Sequence, residues 1–170
     1  MATLMQEFII TVKDLELMNS GQPFDIAPIA AAATQAALAE DRLLLYGDPE
    51  EGTAGLLNAE GRTILPLGDW TEEGVALTDV GKGIAALIGE NFYGSYAVIL
   101  HPMRFAQVQR VVGKRGLMEI DMLEKQATGG VFVSPIMPLD KVLVVTIQPQ
   151  YLDLAVGLDL AAGYIETVDL

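Results

Sequence analysis

A long alanine-rich segment that ends at a glycine constrains the fold of this chain more than any other feature. Residues 29–46, IAAAATQAALAEDRLLLY, have the composition of a helix, and Asp25 can cap its start with Pro28 in the first turn. Gly47 followed by Pro49 is a typical end signal. We expect a helix of about 20 residues, on the order of 30 Å long. Its alanines make it thin, which suits either a spine that other backbones approach closely or an ordinary core helix.

The composition favours burial of apolar surface between subunits. Hydrophobic residues make up 51% and charged residues 19% of the 170-residue chain, whereas soluble domains average about 25% charged residues. The mean hydropathy is +0.37. A chain of this length fits one compact domain with a sizeable core. Because an apolar chain can stay in solution by burying its surplus apolar surface against other copies, we expect an oligomer.

Charge and cysteine content exclude several functions. The net charge is −13, and the ten lysines and arginines are spread along the chain, which argues against nucleic acid and against a polybasic membrane patch. Without cysteine there is no disulfide, thiol nucleophile or cysteine metal site, and this fits a reducing cytosol. The first ten residues lack the basic start and cleavage site of a signal peptide. The charge-free run 26–39 is too short to span a bilayer.

Helical spacing of apolar residues recurs three times after the long helix. The first predicted helix starts at Thr71 and ends near Gly89. The second starts at Pro102 and includes Val112, and the third covers 117–127. In the first of these helices, the two glutamates after Thr71 would lie near the positive end of the helix dipole.

Strand patterns occur at both ends of the chain and between the helices. The shorter ones lie at 8–12, 95–102, 131–135 and 141–147. The most regular lies near the end, where leucine or valine alternates with smaller or acidic residues from Leu152 to Leu160. This pattern predicts a half-buried antiparallel strand. The order of elements is mixed, without regular βαβ repetition, so we predict an α+β fold in a single domain, residues 1–170.

Motifs that could carry chemistry are weak. His101 lies at the end of a buried strand with no nucleophile motif near it, and we interpret it as structural. The TDVGKG segment, 78–83, has the wrong spacing for a phosphate loop and falls within a helical pattern. The GDPEEG turn, 47–52, lacks the spacing of a calcium loop. The GKRG loop, 113–116, could bind an anion, line an opening or have no role. We therefore predict no catalytic, metal or cofactor site.

The order of motifs resembles the encapsulin shell proteins, also called linocin-type proteins, which form bacterial and archaeal nanocompartments. In that family a Gly-x-Pro turn precedes a long spine helix, which ends in an acidic pair, hydrophobic residues and a glycine, and a Gly-Leu-Leu tuck follows. The matching residues here are Gly21-Gln22-Pro23, Glu40-Asp41, Leu43 to Leu45, Gly47 and Gly55-Leu56-Leu57.

Later segments extend the resemblance from Phe8 to Tyr164. GSYAVILHPMRFAQVQ, 94–109, is similar to a family strand and helix, and GGVFVSPIMPLDKVLVV, 129–145, to a pair of family strands. GLDLAAGY, 157–164, is similar to a late motif with Gly, Asp and Gly-Tyr at fixed places. Each motif alone is weak, but their order and spacing together are fairly specific.

The resemblance implies a tailed-phage capsid-like fold reduced to two parts. Residues 1–47 would form a lead strand and the spine helix, and 48–170 an axial domain that clusters about a symmetry axis. The N-terminal arm helix, the extended loop and the final closing strand of full encapsulins would be missing. Some family members bind flavin through a tryptophan near the turn before the spine helix. Because Lys13 aligns there, we expect no flavin.

By the same resemblance, the loop between the second and third of the helices predicted after the spine helix faces a pore at the five-fold axis. The pore-lining residues would be Val112, Gly113, Lys114, Arg115 and Gly116. Repeated about an axis, the lysine and arginine would form a ring of positive charge, the cationic collar, that favours passage of anions through the pore. Salt would screen this attraction and weaken the preference.

Three functions follow in order of preference. The first is a non-enzymatic, self-assembling encapsulin-type subunit in the cytoplasm, which joins copies of itself in a shell or ring and encloses or scaffolds a cargo enzyme. The second is a binding module that forms small pentamer-like rings or dimers and docks on a metabolic enzyme. The third is an enzyme or ligand-binding protein whose acidic residues form an unrecognised site.

Overall fold

The computed structural model describes residues 3–113 and 116–165. The helices are α1 Val12–Asn19, α2 Ala27–Tyr46, α3 Val75–Gly89, α4 Pro102–Val108 and α5 Glu119–Gln126. The strands are β1 Gly47–Asp48, β2 Thr53–Ala54, β3 Tyr96–Leu100, β4 Val111–Val112, β5 Leu117–Met118, β6 Gly130–Val133 and β7 Leu143–Thr146. Helices and strands are mixed along the chain, which agrees with the predicted α+β class.

A small mixed sheet with the order β6-β3-β7 forms the centre of the fold. The central strand β3 pairs in parallel with β6 and antiparallel with β7. Helices α3 and α5 cover this sheet, and their apolar side chains form the core with those of β3 and Trp70. The largest fully buried side chains include Trp70, Leu100, Leu123 and Met137. The apolar runs that predicted these strands and helices therefore reflect burial in one core.

Helix α2 has the predicted length and ends at the predicted glycine. It spans 20 residues, begins with Pro28 in its first turn, and ends at Gly47, whose φ is +76°. The carboxylate of Asp25 accepts the N–H of Ala27 at 2.9 Å, which satisfies one of the free donors at the helix start. Of the residues of α2, all of which the structure describes, Leu45 alone is buried. This helix therefore lies largely outside the core.

The end of α2 is fixed by the glycine-rich tuck that follows it. Leu56 N–H donates to Leu44 O and Leu57 N–H to Leu45 O, both at 2.9 Å. A Cβ on Gly55 would lie 2.4 Å from the Leu45 carbonyl carbon and equally close to Gly47 N. Because this is closer than any real Cβ contact, the tuck requires glycine at this position.

A second contact joins α2 to the segment after β6. The Ser134 hydroxyl donates to the Asp41 carboxylate, and the same hydroxyl oxygen accepts the N–H of Ile136 at 3.2 Å. Tyr46 Oη donates to Ile136 O at 3.3 Å. These bonds lie in the C-terminal turns of α2, so that end carries the polar attachment to the sheet.

Two sequence predictions near turns are wrong. No strand forms over 8–12. Thr11 instead caps α1, with its hydroxyl oxygen accepting the Asp14 N–H at 3.2 Å, and a helix begins at Val12. The helix predicted from Thr71 begins at Val75, because the Thr71 hydroxyl is bound to Asp69 and Gly74 adopts a left-handed φ of +82°. Local side-chain hydrogen bonds decided both outcomes.

The strand predicted from Leu152 to Leu160 is also not formed. The structure assigns no strand there, and the backbone bends at Gly157 and Leu158. Every residue from Leu152 to Ile165 is exposed. Alternating apolar residues favour a strand only where a partner strand can complete the ladder. Within the described chain, no strand pairs with this segment.

The tight approach at Gly55 gives a test of how α2 is held. Gly55→Ala should lower the free energy of unfolding by about 1–3 kcal/mol, because the added methyl would overlap the backbone of α2. Gly89→Ala is the matched control, since a Cβ there meets nothing within 4 Å, and it should leave the stability unchanged or raise it by up to about 1 kcal/mol. Urea unfolding measures both variants. Equal stabilities would show that the contact with the tuck is looser than described.

Candidate functional site

The loop predicted to line a pore joins two short strands. Strands β4 and β5 pair antiparallel as the two arms of a hairpin, with Val111 opposite Met118 and Val112 opposite Leu117. Val112 is buried, whereas Gly113 and Gly116 have left-handed φ angles of +63° and +69° at the two ends of the loop. Lys114 and Arg115 lie outside the described residues. Two predicted helix bounds next to this hairpin are wrong. The helix from Pro102 ends at Val108 and does not include Val112, and α5 begins at Glu119 rather than at 117.

A buried ion pair closes the base of this hairpin. Arg110 Nε donates to Glu119 Oε2 at 2.6 Å, and the Glu119 side chain is fully buried. The backbone pairs at the same point, with Glu119 N–H donating to Arg110 O at 2.9 Å. The other carboxylate oxygen, Glu119 Oε1, accepts the N–H of Gly74 at 3.0 Å. The charged groups are therefore paired and hydrogen-bonded, as burial of charge requires.

The rest of the Arg110 guanidinium binds backbone carbonyls of the preceding loop. Nη1 donates to Thr71 O at 2.6 Å, while Nη2 donates to Trp70 O at 2.9 Å and to Glu72 O at 2.6 Å. A planar fork of donors suits this arrangement, and a lysine ammonium could not reproduce it. Arg110 thus ties the loop between Trp70 and Gly74 to the hairpin. No sequence pattern indicated this pair, because its partners are brought together only by the tertiary fold.

A carboxylate also contacts the predicted pore loop directly. Glu73 Oε1 accepts the N–H of Gly113 at 2.7 Å. On the loop that carries Glu73, the Asp69 carboxylate accepts hydrogen bonds from the hydroxyl and the N–H of Thr71 at 2.7 and 2.9 Å. These bonds lower the pKa of the Asp69 carboxyl. Since a lowered pKa favours the ionised form in the folded protein, this small contribution to stability is present at neutral pH and is lost in acid.

The other sequence motifs have structural roles. His101 Nδ1 accepts the Met103 N–H at 3.0 Å and so caps α4. The segment 78–83 lies inside α3, where it cannot cradle phosphates. In the acidic turn, Asp48 Oδ1 accepts the Glu50 N–H at 2.9 Å. Within residues 3–113 and 116–165, no group of three or more His, Asp or Glu side chains could hold a metal ion.

Large apolar side chains are exposed at many places in the described chain, including Ile64 at 75% and Val111 at 62%, and three further regions share this property. The first is the N-terminal segment, where Met5 is 67% exposed. The second is the outer end of β6, with Phe132 and Val133. The third is 152–165, where Leu158 is 84% exposed. An open groove of about 370 Å³ lies between the N-terminal segment and α2, lined among others by Leu4, Leu38 and Ile136. Exposed apolar surface of this extent is typical of protein interfaces.

None of the described helices is both long and apolar enough to cross a membrane.

Comparison with known proteins gives a consistent result. The sequence profile Linocin_M18, described as an encapsulating protein for peroxidase, matches residues 1–169. The type 1 encapsulin shell protein EncA of Myxococcus xanthus is 33% identical over 163 residues, which are 95% of this chain and 57% of that protein. A diheme-cytochrome-encapsulin shell fusion protein of Kuenenia stuttgartiensis is 31% identical over 168 residues, 98% of this chain and 46% of that protein. The chain thus spans about half the length of these relatives.

A solved structure supports the fold. The virus-like particle from Pyrococcus furiosus superposes with a TM-score of 0.61 at 23% sequence identity, covering 80% of this chain and 53% of that one. The capsid-like fold predicted from the order of motifs is therefore confirmed.

The buried ion pair gives a test of the hairpin base. Arg110→Met should destabilise the protein by about 3–5 kcal/mol, because it leaves the Glu119 carboxylate buried without its partner. The Arg110→Met/Glu119→Met double variant should recover part of this loss, since no charge is then buried.

The matched control is Lys82→Met. Lys82 is 60% exposed and lies 3.7 Å from Asp79, so its removal should cost less than about 1 kcal/mol. Chemical denaturation compares the variants. A loss at Arg110 no larger than that at Lys82 would mean that the pair does not hold the hairpin.

Proposed function

Because the chain belongs to the Linocin_M18 family of encapsulating proteins, we propose that it is a self-assembling shell subunit with a structural rather than a catalytic role. Copies of the chain join into a closed shell or a smaller ring, which encloses or scaffolds a cargo enzyme. We propose that this happens in the cytoplasm, in keeping with the absence of cysteine from the sequence.

The observation that carries this proposal is the apolar surface that the chain leaves uncovered. Helix α2 has a strongly apolar composition, yet Leu45 is its single buried residue. A helix that is apolar on most sides is normally buried by neighbours. The exposed segment 152–165 adds further apolar side chains. Specific interfaces bury about 800 Å² per partner, and a subunit in a closed ring has two such faces.

The division of the chain at Gly47 belongs to the same proposal. Residues 1–47 would form the peripheral part and 48–170 the axial domain. In support, the core cluster of Trp70, Val98 and Leu123 lies wholly after Gly47. The contacts of α2 with that part include hydrogen bonds near its C-terminal end.

We also propose that Val112, Gly113, Lys114, Arg115 and Gly116 surround an axial pore. In support, the strands on either side of this loop, β4 and β5, pair antiparallel, and the buried Arg110–Glu119 ion pair lies just beyond them. A fixed base holds a loop at a constant distance from an axis. Repeated lysine and arginine side chains would attract anions, and the attraction would fall as salt screens it.

Particle mass tests the assembly directly. We expect purified protein at micromolar concentration to form particles many times the 18.2 kDa of one chain, seen as shells or rings by negative-stain microscopy and light scattering. Rings without shells would support the smaller form of the assembly. A stable monomer at this concentration would contradict the proposal.

Solute entry tests the pore. In assembled particles, Lys114→Ser/Arg115→Ser should slow entry of small anions at low salt and have little effect at high salt. Lys125→Ser/Lys141→Ser removes the same charge from exposed positions elsewhere and should leave entry unchanged. Stopped-flow quenching of an enclosed dye measures the rates. Equal rates in the unsubstituted protein and the Lys114/Arg115 variant would refute the cationic collar while leaving the assembly intact.

A further inference from the structure

The segment Leu152–Leu160 has the pattern of a strand but lacks a partner in the described chain. Its apolar side chains are strongly exposed, with Leu154 at 54%, Val156 at 62% and Leu160 at 78%. The segment begins at a hydrogen-bonded turn, in which Leu152 N–H donates to Gln148 O at 3.0 Å. Beyond that bond, the segment has the side chains of a strand face, and more than half of the surface of Leu154, Val156 and Leu160 is exposed.

The sequence of this segment, LDLAVGLDL, is nearly the same in both directions. Reversal about Val156 places leucine on leucine and aspartate on aspartate, and exchanges only Ala155 with Gly157. Two identical strands related by a two-fold axis must run antiparallel, so each strand faces the reverse of its own sequence. Because leucine or valine occupies every second position, a two-fold pairing centred on a residue of this segment keeps the apolar side chains of both copies on one face. The reversal about Val156 would also place aspartate on aspartate, so the centre of the pairing must lie at another residue.

We propose that 153–161 pairs antiparallel with the same segment of a second copy, with Gly157 on the two-fold axis. Leu154 then faces Leu160 of the second copy, and Val156 faces its Leu158. On the other face, Asp153 and Asp159 lie opposite the alanines Ala161 and Ala155. The bend at Gly157 and Leu158 straightens as the ladder forms.

Charge excludes the register centred on Val156. In that register, Asp153 faces Asp159 of the second copy, and this occurs twice across the pair. Like charges directly opposite one another destabilise a ladder. Moving the two-fold centre by one residue, to Gly157, still keeps leucine and valine on one face. It replaces each contact between two aspartates by an aspartate that faces an alanine.

Existing contacts exclude the register centred on Ala155. That register would use Tyr151 and Leu152 as ladder residues. Their N–H groups already donate to Gln148 O at 2.9 and 3.0 Å. The Tyr151 ring also lies edge-on to that of Phe92, with centroids 5.1 Å apart. The register centred on Gly157 leaves these contacts in place.

The area of the contact indicates its role. A strand of nine residues is about 30 Å long, and sheets pack about 10 Å apart, so its footprint is about 300 Å². This is well below the roughly 800 Å² per partner of a stable interface. The strand pair is therefore one contact within a larger assembly, and the inference rests on the proposed self-assembly.

Single cysteines test the pairing and its register, because the natural chain has none. Directly opposite Cα atoms in an antiparallel pair lie about 4.5–5.5 Å apart, within the range that a disulfide spans. Gly157→Cys should therefore give a disulfide-linked dimer under mild oxidation, read on a non-reducing gel. Ala155→Cys and Val156→Cys are the matched controls. They should crosslink little, because in this register neither residue lies directly opposite the same residue of the second copy.

A second variant tests the apolar face. In the Gly157→Cys background, Leu158→Asp would bury a carboxylate opposite Val156 without a partner, and crosslinking should slow by more than about tenfold. Position 158 is exposed in the single chain, so folding should be unaffected. An unchanged rate would overturn the proposal.

Particle mass, measured on the same samples, separates this inference from the proposed function. Particles with crosslinking strongest at position 157 support both. Particles with no crosslinking, or with crosslinking strongest at position 155 or 156, overturn the strand pairing centred on Gly157 and leave the shell function standing. A dimer crosslinked at position 157 in the absence of larger particles supports the pairing and contradicts the shell function.

Discussion

The rest of the structure depends on how α2 is attached. Its C-terminal turns are joined to the tuck at Gly55 and to Ser134 by backbone contact and hydrogen bonds. The core, however, is built from α3, α5 and the sheet, and takes almost nothing from this helix. The described chain therefore covers this apolar helix only in part. Association with further copies is the arrangement that would remove this surface from water.

The β4–β5 hairpin and the segment from Leu152 to Leu160 differ in how the rest of the chain contacts them. The hairpin that carries Gly113 is fixed by the Arg110–Glu119 pair and by the carbonyls of the loop after Trp70. The segment from Leu154 to Leu160 is exposed throughout, and no strand of residues 3–113 and 116–165 pairs with it. A hairpin with a fixed base suits a pore, whose width must be the same in every copy. A segment with an uncovered apolar face suits an interface, because its ladder can be completed by a neighbour.

Sequence patterns predicted the elements that are buried in the core or closed by local signals. The helix ending at Gly47, the strand before His101 and the strands β6 and β7 were all predicted. Patterns could not show whether a strand has a partner, so the strands at 8–12 and from Leu152 were wrong. The Arg110–Glu119 pair could not be predicted, because neither residue stands out until the fold brings Gly74 beside them. The predicted pore residues Lys114 and Arg115 lie outside the described residues.

Hydrogen exchange at two protein concentrations tests the central claim most directly. If the apolar face of 152–160 is covered by other copies, the amides of this segment should be protected from exchange in concentrated samples. They should exchange at nearly the unprotected rate once dilution separates the chains, while the amides of β3 remain protected at both concentrations. Fast exchange of 152–160 at every concentration would contradict the account, because this apolar surface would then stay in water even where copies are abundant.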